Sequence, residues 1–127
     1  MSDAYSIKPL ISHTDERGTL FEILDVPEAG YIYTFTINPG ARRGDHYHEQ
    51  KREWFTCVAG RVTILLETPE GKKERIILDA EHPRIVYNAP GVAHAFLNET
   101  ATPAVMVAYG FPRHDPSNPD TVKKFVE

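Results

Sequence analysis

Two histidines and a glutamate lie close together between Gly40 and Gly60: His46, His48 and Glu53, with Tyr47 between the histidines. Alternate side chains of a β-strand share a face, so His46 and His48 project together from a strand. Glu53 opens an apolar run, where a tight return brings its carboxylate beside the two rings. A third imidazole, His94, follows the turn at Pro90 and Gly91 and is expected to arrive from the opposite sheet. His46, His48, Glu53 and His94 make a donor set of borderline hardness. It suits a divalent metal, zinc first and then nickel, manganese, iron or cobalt, and does not suit calcium. His13, His82 and His114 stand alone and read as surface or core histidines. Cys57 lies in an apolar strand pattern and reads as a buried small hydrophobe.

Short strands must position these groups. Tyr31, Tyr33, Phe35 and Ile37 alternate with Ile32, Thr34 and Thr36, a period of two in residue types that favour strands. Val62, Ile64 and Leu66 alternate with Arg61, Thr63 and Glu67. Further strands are expected at 19–24, 54–58, 75–78, 84–87, 95–97 and 104–109. Turn signals separate them: Asn38-Pro39-Gly40, Ala59-Gly60, Pro69-Glu70-Gly71 and Ala89-Pro90-Gly91. With 10 prolines and 8 glycines spread along the chain, no dozen residues keep a helical spacing free of both. The expectation is one all-β domain over residues 1–127, an antiparallel sandwich or barrel. The turn-rich stretch 112–120 precedes a short tail expected to pack on the barrel or on a partner subunit.

A chain of 127 residues is long enough to bury one core without staples. A net charge of −4 argues against nucleic acid or an anionic membrane surface as partner. No apolar run approaches membrane-spanning length. Residues 1–5 lack the basic start and apolar stretch of a signal peptide. One cysteine excludes an internal disulfide and suits a reducing cytoplasm, which removes the adhesion reading of Arg43-Gly44-Asp45.

Gly40, His46, His48, Glu53 and Gly60 fit the first cupin motif spacing for spacing, and Gly91, His94 and Asn98 resemble the second. The resemblance covers about residues 39–109 and implies a jelly-roll (double-stranded β-helix) cupin barrel. Three segments resemble nucleotide-sugar isomerases and epimerases within that superfamily. The segment 15–22 resembles their Asp-x-Arg-Gly start. The segment 42–48 resembles the Arg-Gly-x-His-x-His of dTDP-4-keto-6-deoxyglucose 3,4-ketoisomerases. The segment 115–121 resembles the ending of the C-terminal cupin domain in capsular-polysaccharide enzymes that epimerise a UDP-4-keto-amino sugar. There are departures. The ketoisomerases usually carry glutamine at the Glu53 position. The 3,5-epimerases carry glutamine at the His48 position and use a His-Asp pair with no counterpart visible in this sequence. The capsular enzymes also carry a reductase domain that these 127 residues do not contain.

The resemblance implies enolate chemistry beside the ketone of a nucleotide-linked 4-keto-6-deoxy sugar. A base near neutral pKa removes the acidified proton, an acid on the other face returns one for epimerisation, and a metal ion or donors hold the enolate oxygen. It implies His46 or His48 as base, Tyr33 as acid or orienting group, and Arg17, Arg43 and Lys51 as substrate contacts, the arginines on the diphosphate. If all four donors hold metal, the base must be another group, Tyr33, Tyr47 or Lys51. On a regular strand Tyr47 faces away from His46. If the site is metal-free, Glu53 orients the histidine base. A metal-dependent oxygenase and a non-catalytic sugar- or metal-binding module are the competing readings. A homodimer is expected, with the segment 6–12 as the exchanged element, because open sheets leave edges to be covered.

Overall fold

The structure is a computed structural model and describes residues 4–127; of the stretch read for a leader, residues 1–3 lie outside it. Twelve strands follow one another: β1 (Tyr5–Pro9), β2 (Ile11–Asp15), β3 (Gly18–Glu22), β4 (Tyr31–Ile37), β5 (Arg42–His48), β6 (Arg52–Ala59), β7 (Arg61–Glu67), β8 (Lys73–Asp79), β9 (Arg84–Asn88), β10 (Ala93–Leu97), β11 (Ala104–Phe111) and β12 (Thr121–Lys123). One sheet runs β1-β9-β6-β11-β4 and the other β12-β5-β10-β7-β8, while β2 and β3 form a separate hairpin. Every pairing is antiparallel. This is the expected all-β jelly roll. Among the described residues no helix is long and apolar enough to cross a membrane.

The period of two decides which side chains fill the space between the sheets. Ile37, Phe55, Val62, Ile64, Leu66, Ile76, Leu78, Val86, Phe96 and Met106 form one buried cluster there. Each such side chain contributes roughly 1.5–3 kcal/mol through its removal from water. Strand β7 is buried on both faces. Val62, Ile64 and Leu66 face the main core, while Leu65 packs outward with Ala93, Ala95 and Val126 under the C-terminal tail. The tail therefore packs on the barrel. Arg42 and Asp45 hold it there: Arg42 Nη2 donates to the Val126 carbonyl, and the Val126 N–H donates to Asp45 Oδ1.

The expected strands are present, several with longer bounds, except that the one expected at 19–24 ends at Glu22. Strands β1, β2 and β12 are additional to those expected, and each lies at an edge or outside the two sheets. The segment expected to be exchanged divides in two. Tyr5–Pro9 pairs with the chain's own β9, while Ile11 and Ser12 enter the hairpin, all of whose strand residues are exposed. The hairpin, not β1, is the element that stands clear of the barrel.

Candidate active site

Strand β5 carries two of the three histidines, and a bulge aims them. Opposite β10, His46 pairs with His94 and Gly44 with Ala95, so Asp45 is the extra residue. Gly44 and Asp45 both have positive φ, 90° and 57°. A Cβ at Gly44 would lie 2.7 Å from the His94 carbonyl oxygen, so only glycine lets the two strands close there. Asp45 tolerates its left-handed conformation because Arg42 holds its carboxylate through two hydrogen bonds of 2.7 and 2.6 Å. Beyond the bulge the alternation resumes. His46 and His48 face the barrel interior, and Tyr47 packs outward against the cluster around Val126.

The rings of His46 and His94 lie 4.7 Å apart between centroids, and those of His46 and His48 5.0 Å. One ring nitrogen from each of the three falls within 4.8 Å of the others. His94 arrives from β10, beside β5 in the same sheet, which corrects the expectation that it comes from across the barrel. The opposite sheet supplies Glu53, from β6, and Tyr33, from β4. Glu53 Oε1 stands 3.2 Å from His48 Nε2 and 3.6 Å from His94 Nε2. The Tyr33 hydroxyl donates to Glu53 Oε2.

Two further residues orient the imidazoles. Asp120 Oδ1 lies 3.0 Å from His48 Nδ1, and its Oδ2 accepts the backbone N–H groups of Gln50 and Lys51 at 3.0 and 2.8 Å. Asn88 places its side-chain amide 3.0 Å from His94 Nδ1. Sequence reasoning did not assign either one. Asp120 lies 72 residues from His48 and meets it only because β12 pairs with β5, Thr121 opposite His48. The one available signal was the turn-rich run ending at Asp120-Thr121.

The three imidazoles differ in their surroundings. Burial depresses the His94 pKa to about 4, with His46 and His48 adding to the effect against the pull of Glu53. His46 is also depressed, by burial and by His48, and has no hydrogen-bond partner among the described residues. His48 is raised. Burial acts against its charge, but Glu53 and Asp120 on its two nitrogens outweigh it. Burial pushes the Glu53 carboxyl up, yet His48, His94 and the Tyr33 hydroxyl hold it down at about 2. Burial and Glu53 together raise Tyr33, so its proton stays on the phenol.

These shifts fix the acid response of the fold. His94 and Glu53 bind fewer protons folded than unfolded, so their contribution is complete above pH 6.5. It is lost as pH falls, first through His94 from 6.5 toward 4, then through Glu53 from 4.5 toward 2. His48 acts in the other sense: its contribution is complete below 6.5 and is lost as pH rises through its folded value. The melting temperature should decline on acidification in the two overlapping stages that His94 and Glu53 set. In a His94→Gln variant the upper stage should be missing, and an unchanged profile would contradict this assignment.

A pocket of about 340 Å³ opens above the histidines, walled by Tyr31, Tyr33, Phe35, Arg43, His46 and Lys51. Arg43 stacks over Phe35 at 5.5 Å and makes no ion pair among the described residues. Lys51 is buried, and its Nζ donates to the Tyr31 hydroxyl at 2.7 Å. Arg17 is placed elsewhere. It sits on the projecting hairpin, paired with Asp15 at 2.7 Å, and does not line this pocket of its own chain. His13 bonds Glu22 on the same hairpin, His82 pairs with Asp79 on the surface, and the Cys57 thiol is buried and pushed up in pKa by that burial.

Residues 13–122 match the model of the polysaccharide biosynthesis C-terminal domain. Over 110 residues the chain is 33% identical to a UDP-2-acetamido-2,6-beta-L-arabino-hexul-4-ose reductase of Pseudomonas aeruginosa, covering 86% of this chain and 30% of that protein. The chain thus spans less than a third of that relative's length. It superposes on the capsular polysaccharide assembling protein CapF of Staphylococcus aureus with a TM-score of 0.74 at 26% identity, over 93% of this chain and 35% of that one. The fold also matches ChmJ, a 3'-monoepimerase from Streptomyces bikiniensis solved with dTDP-quinovose. The TM-score there is 0.83 at 21% identity, over 95% of this chain and 69% of the other.

Proposed function

This chain belongs to the polysaccharide biosynthesis C-terminal domain family, and we propose that it is an isomerase or epimerase acting beside the ketone of a nucleotide-linked 4-keto-6-deoxy sugar. The observation that carries the reading is His46. It is a half-buried imidazole kept neutral near pH 7 and, among the described residues, free of hydrogen bonds, in a pocket whose two cations, Arg43 and Lys51, have no carboxylate partner among those residues. A neutral imidazole there can accept a proton from carbon, and guanidinium and ammonium groups suit a diphosphate. The relatives, a keto-sugar reductase and a 3'-monoepimerase, support the substrate class. Incubation with dTDP- and UDP-linked 4-keto-6-deoxy sugars should give a new isomer that chromatography resolves. Unchanged sugar in every case would refute the reading.

Each residue has a task in this scheme. His46 takes the proton from the carbon next to the ketone. His48, held on both nitrogens by Glu53 and Asp120, has no N–H to spare and acts on the developing enolate oxygen through its positive charge alone. Tyr33 holds Glu53 and serves as an orienting group, since its own hydrogen is already engaged in the bond to that carboxylate. Asp120→Asn should slow turnover about tenfold to a hundredfold and lower the apparent pKa of His48 in the pH–rate profile. A change in rate without that displacement would contradict its positioning role.

The donor set also fits a divalent metal. Glu53 Oε1 is buried with no hydrogen bond among the described residues, and ring nitrogens of His46, His48 and His94 lie within 4.8 Å of one another. If the Asn88 amide turns over, its oxygen, otherwise without partner among the described residues, accepts a hydrogen bond from the His94 Nδ1–H and leaves Nε2 a lone pair. We propose that these four residues can hold zinc first among the divalent ions, and that a bound ion would polarise the enolate oxygen. Loading must displace any proton on His48 Nε2, the nitrogen that faces Glu53 Oε1 at 3.2 Å. The other three donors leave His46 free as base; with all four engaged it has no lone pair to offer.

The outer face of the first sheet carries Ile32, Trp54, Ile85, Val107 and Tyr109 around a groove of about 570 Å³, and Ile32 is 70% exposed. The hairpin adds Ile11 and Leu20, each 60% exposed. We propose that a second copy of the chain covers this continuous apolar surface, with the hairpin exchanged, so that Arg17 serves the partner's pocket. Light scattering at micromolar concentration should give the mass of a dimer. A monomeric mass would contradict it. The lone buried thiol suits a reducing compartment, and we place the protein in the cytoplasm on that ground.

A further inference from the structure

We infer that Tyr31, not Tyr33, is the proton donor on the face of the sugar opposite His46, with Lys51 as the residue that positions it; the inference rests on the isomerase reading. Inversion at a carbon needs an acid across the ring from the base. His46 lies on β5 in one sheet, and the facing wall of the pocket is β4 in the other. Two phenols stand on that wall, stacked with ring centroids 5.1 Å apart. Their hydrogen bonds separate their roles.

Tyr33 donates its hydrogen to Glu53 Oε2. Tyr31 is arranged the other way. A lysine ammonium has hydrogens and no lone pair, so in the 2.7 Å contact Lys51 Nζ donates and the Tyr31 oxygen accepts. The phenol hydrogen of Tyr31 is thereby left over, and no acceptor among the described residues takes it. Lys51 is buried and has no carboxylate partner among the described residues, so its charge acts on this oxygen. Gly110 makes room for the pair: a Cβ there would stand 3.0 Å from Tyr31 Cε1 and 3.3 Å from Lys51 Cδ.

The proton balance closes. His46 breaks the C–H bond and the electron pair passes to the ketone oxygen as an enolate. The enolate carbon then takes the Tyr31 hydrogen on the opposite face, forming the new C–H bond and restoring the ketone. The resulting phenolate, held by the Lys51 ammonium, recovers a proton from solvent, and His46 gives its proton to solvent. Without Tyr31 the base can still remove a proton and return one to the same face. Exchange would continue and inversion would stop.

The test is Tyr31→Phe in deuterated water with dTDP-4-keto-6-deoxyglucose and with a UDP-linked 4-keto-2-acetamido-2,6-dideoxyhexose. Mass spectrometry reads deuterium uptake and proton NMR the configuration of the exchanged carbon. Wild-type protein should show uptake with inversion. The variant should keep uptake within about threefold while inversion falls by about a hundredfold or more, and Lys51→Gln should show the same split in weaker form. Inversion at the wild-type rate in Tyr31→Phe, or loss of uptake together with inversion in both folded variants, would overturn the assignment. Wild-type protein that takes up deuterium without inverting would overturn the inference and leave the isomerase reading standing. Absence of uptake from either sugar in the wild type would overturn both.

Discussion

Asparagine in place of His46 is expected to slow deuterium uptake at the carbon beside the ketone by about two to four orders of magnitude. The size follows from its position. His46 is the one imidazole of the three that faces the pocket without a hydrogen bond among the described residues, and its depressed pKa keeps it neutral near pH 7. Its neighbours are committed elsewhere, His48 to Glu53 and Asp120, and His94 to Asn88 in full burial. Asparagine keeps a polar side chain of similar reach, so the melting temperature and nucleotide binding should change little. Wild-type exchange in the folded variant would show that the base is another group.

Alanine at Glu53 is expected to have the largest effect on the fold, about 3–5 kcal/mol, because it leaves buried partners without a counterpart. The carboxylate is the acceptor of the Tyr33 hydroxyl and the charge partner of His48, and it is 4% exposed. For a domain of this size that is a loss on the order of 10–20 °C in melting temperature. Glutamine at the same position keeps an acceptor for Tyr33 and should lose much less. The pair of variants also reports on the metal. Zinc should raise the melting temperature of the wild type by mass action on the folded state, and Glu53→Gln should largely abolish that rise. A zinc response in the glutamine variant equal to that of the wild type would remove Glu53 from the donor set.

The central part of the site was legible because it depends on local rules. His46 and His48 share a face by strand alternation, Glu53 returns across one tight connection, and His94 follows a Pro-Gly turn. The sheet that His94 belongs to was not legible, since that depends on β10 pairing with both β5 and β7. The bulge at Asp45 also lies beyond period-two reasoning, although the adjacent Gly44 marks the place. Asp120 required knowledge that a three-residue strand near the C-terminus docks beside β5. Tyr31 and Tyr33 look alike in sequence, and only the hydrogen bonds to Lys51 and Glu53 tell them apart. Arg17 was chosen by resemblance alone, and one chain places it on a hairpin away from the pocket. Burial alternates strictly on β4, so its inward face of Tyr31, Tyr33, Phe35 and Ile37 was legible, whereas β7 is buried on both faces and its period of two does not show this.

The central claim is that this pocket removes a proton from carbon beside a sugar ketone. The most direct measurement is the position of deuterium in the sugar recovered after incubation with the wild-type protein in deuterated water. Deuterium confined to a ring carbon adjacent to C4, absent from a control with His46→Asn, is the predicted result. Recovery of dTDP- and UDP-linked 4-keto-6-deoxy sugars with no deuterium above the protein-free control would contradict the account.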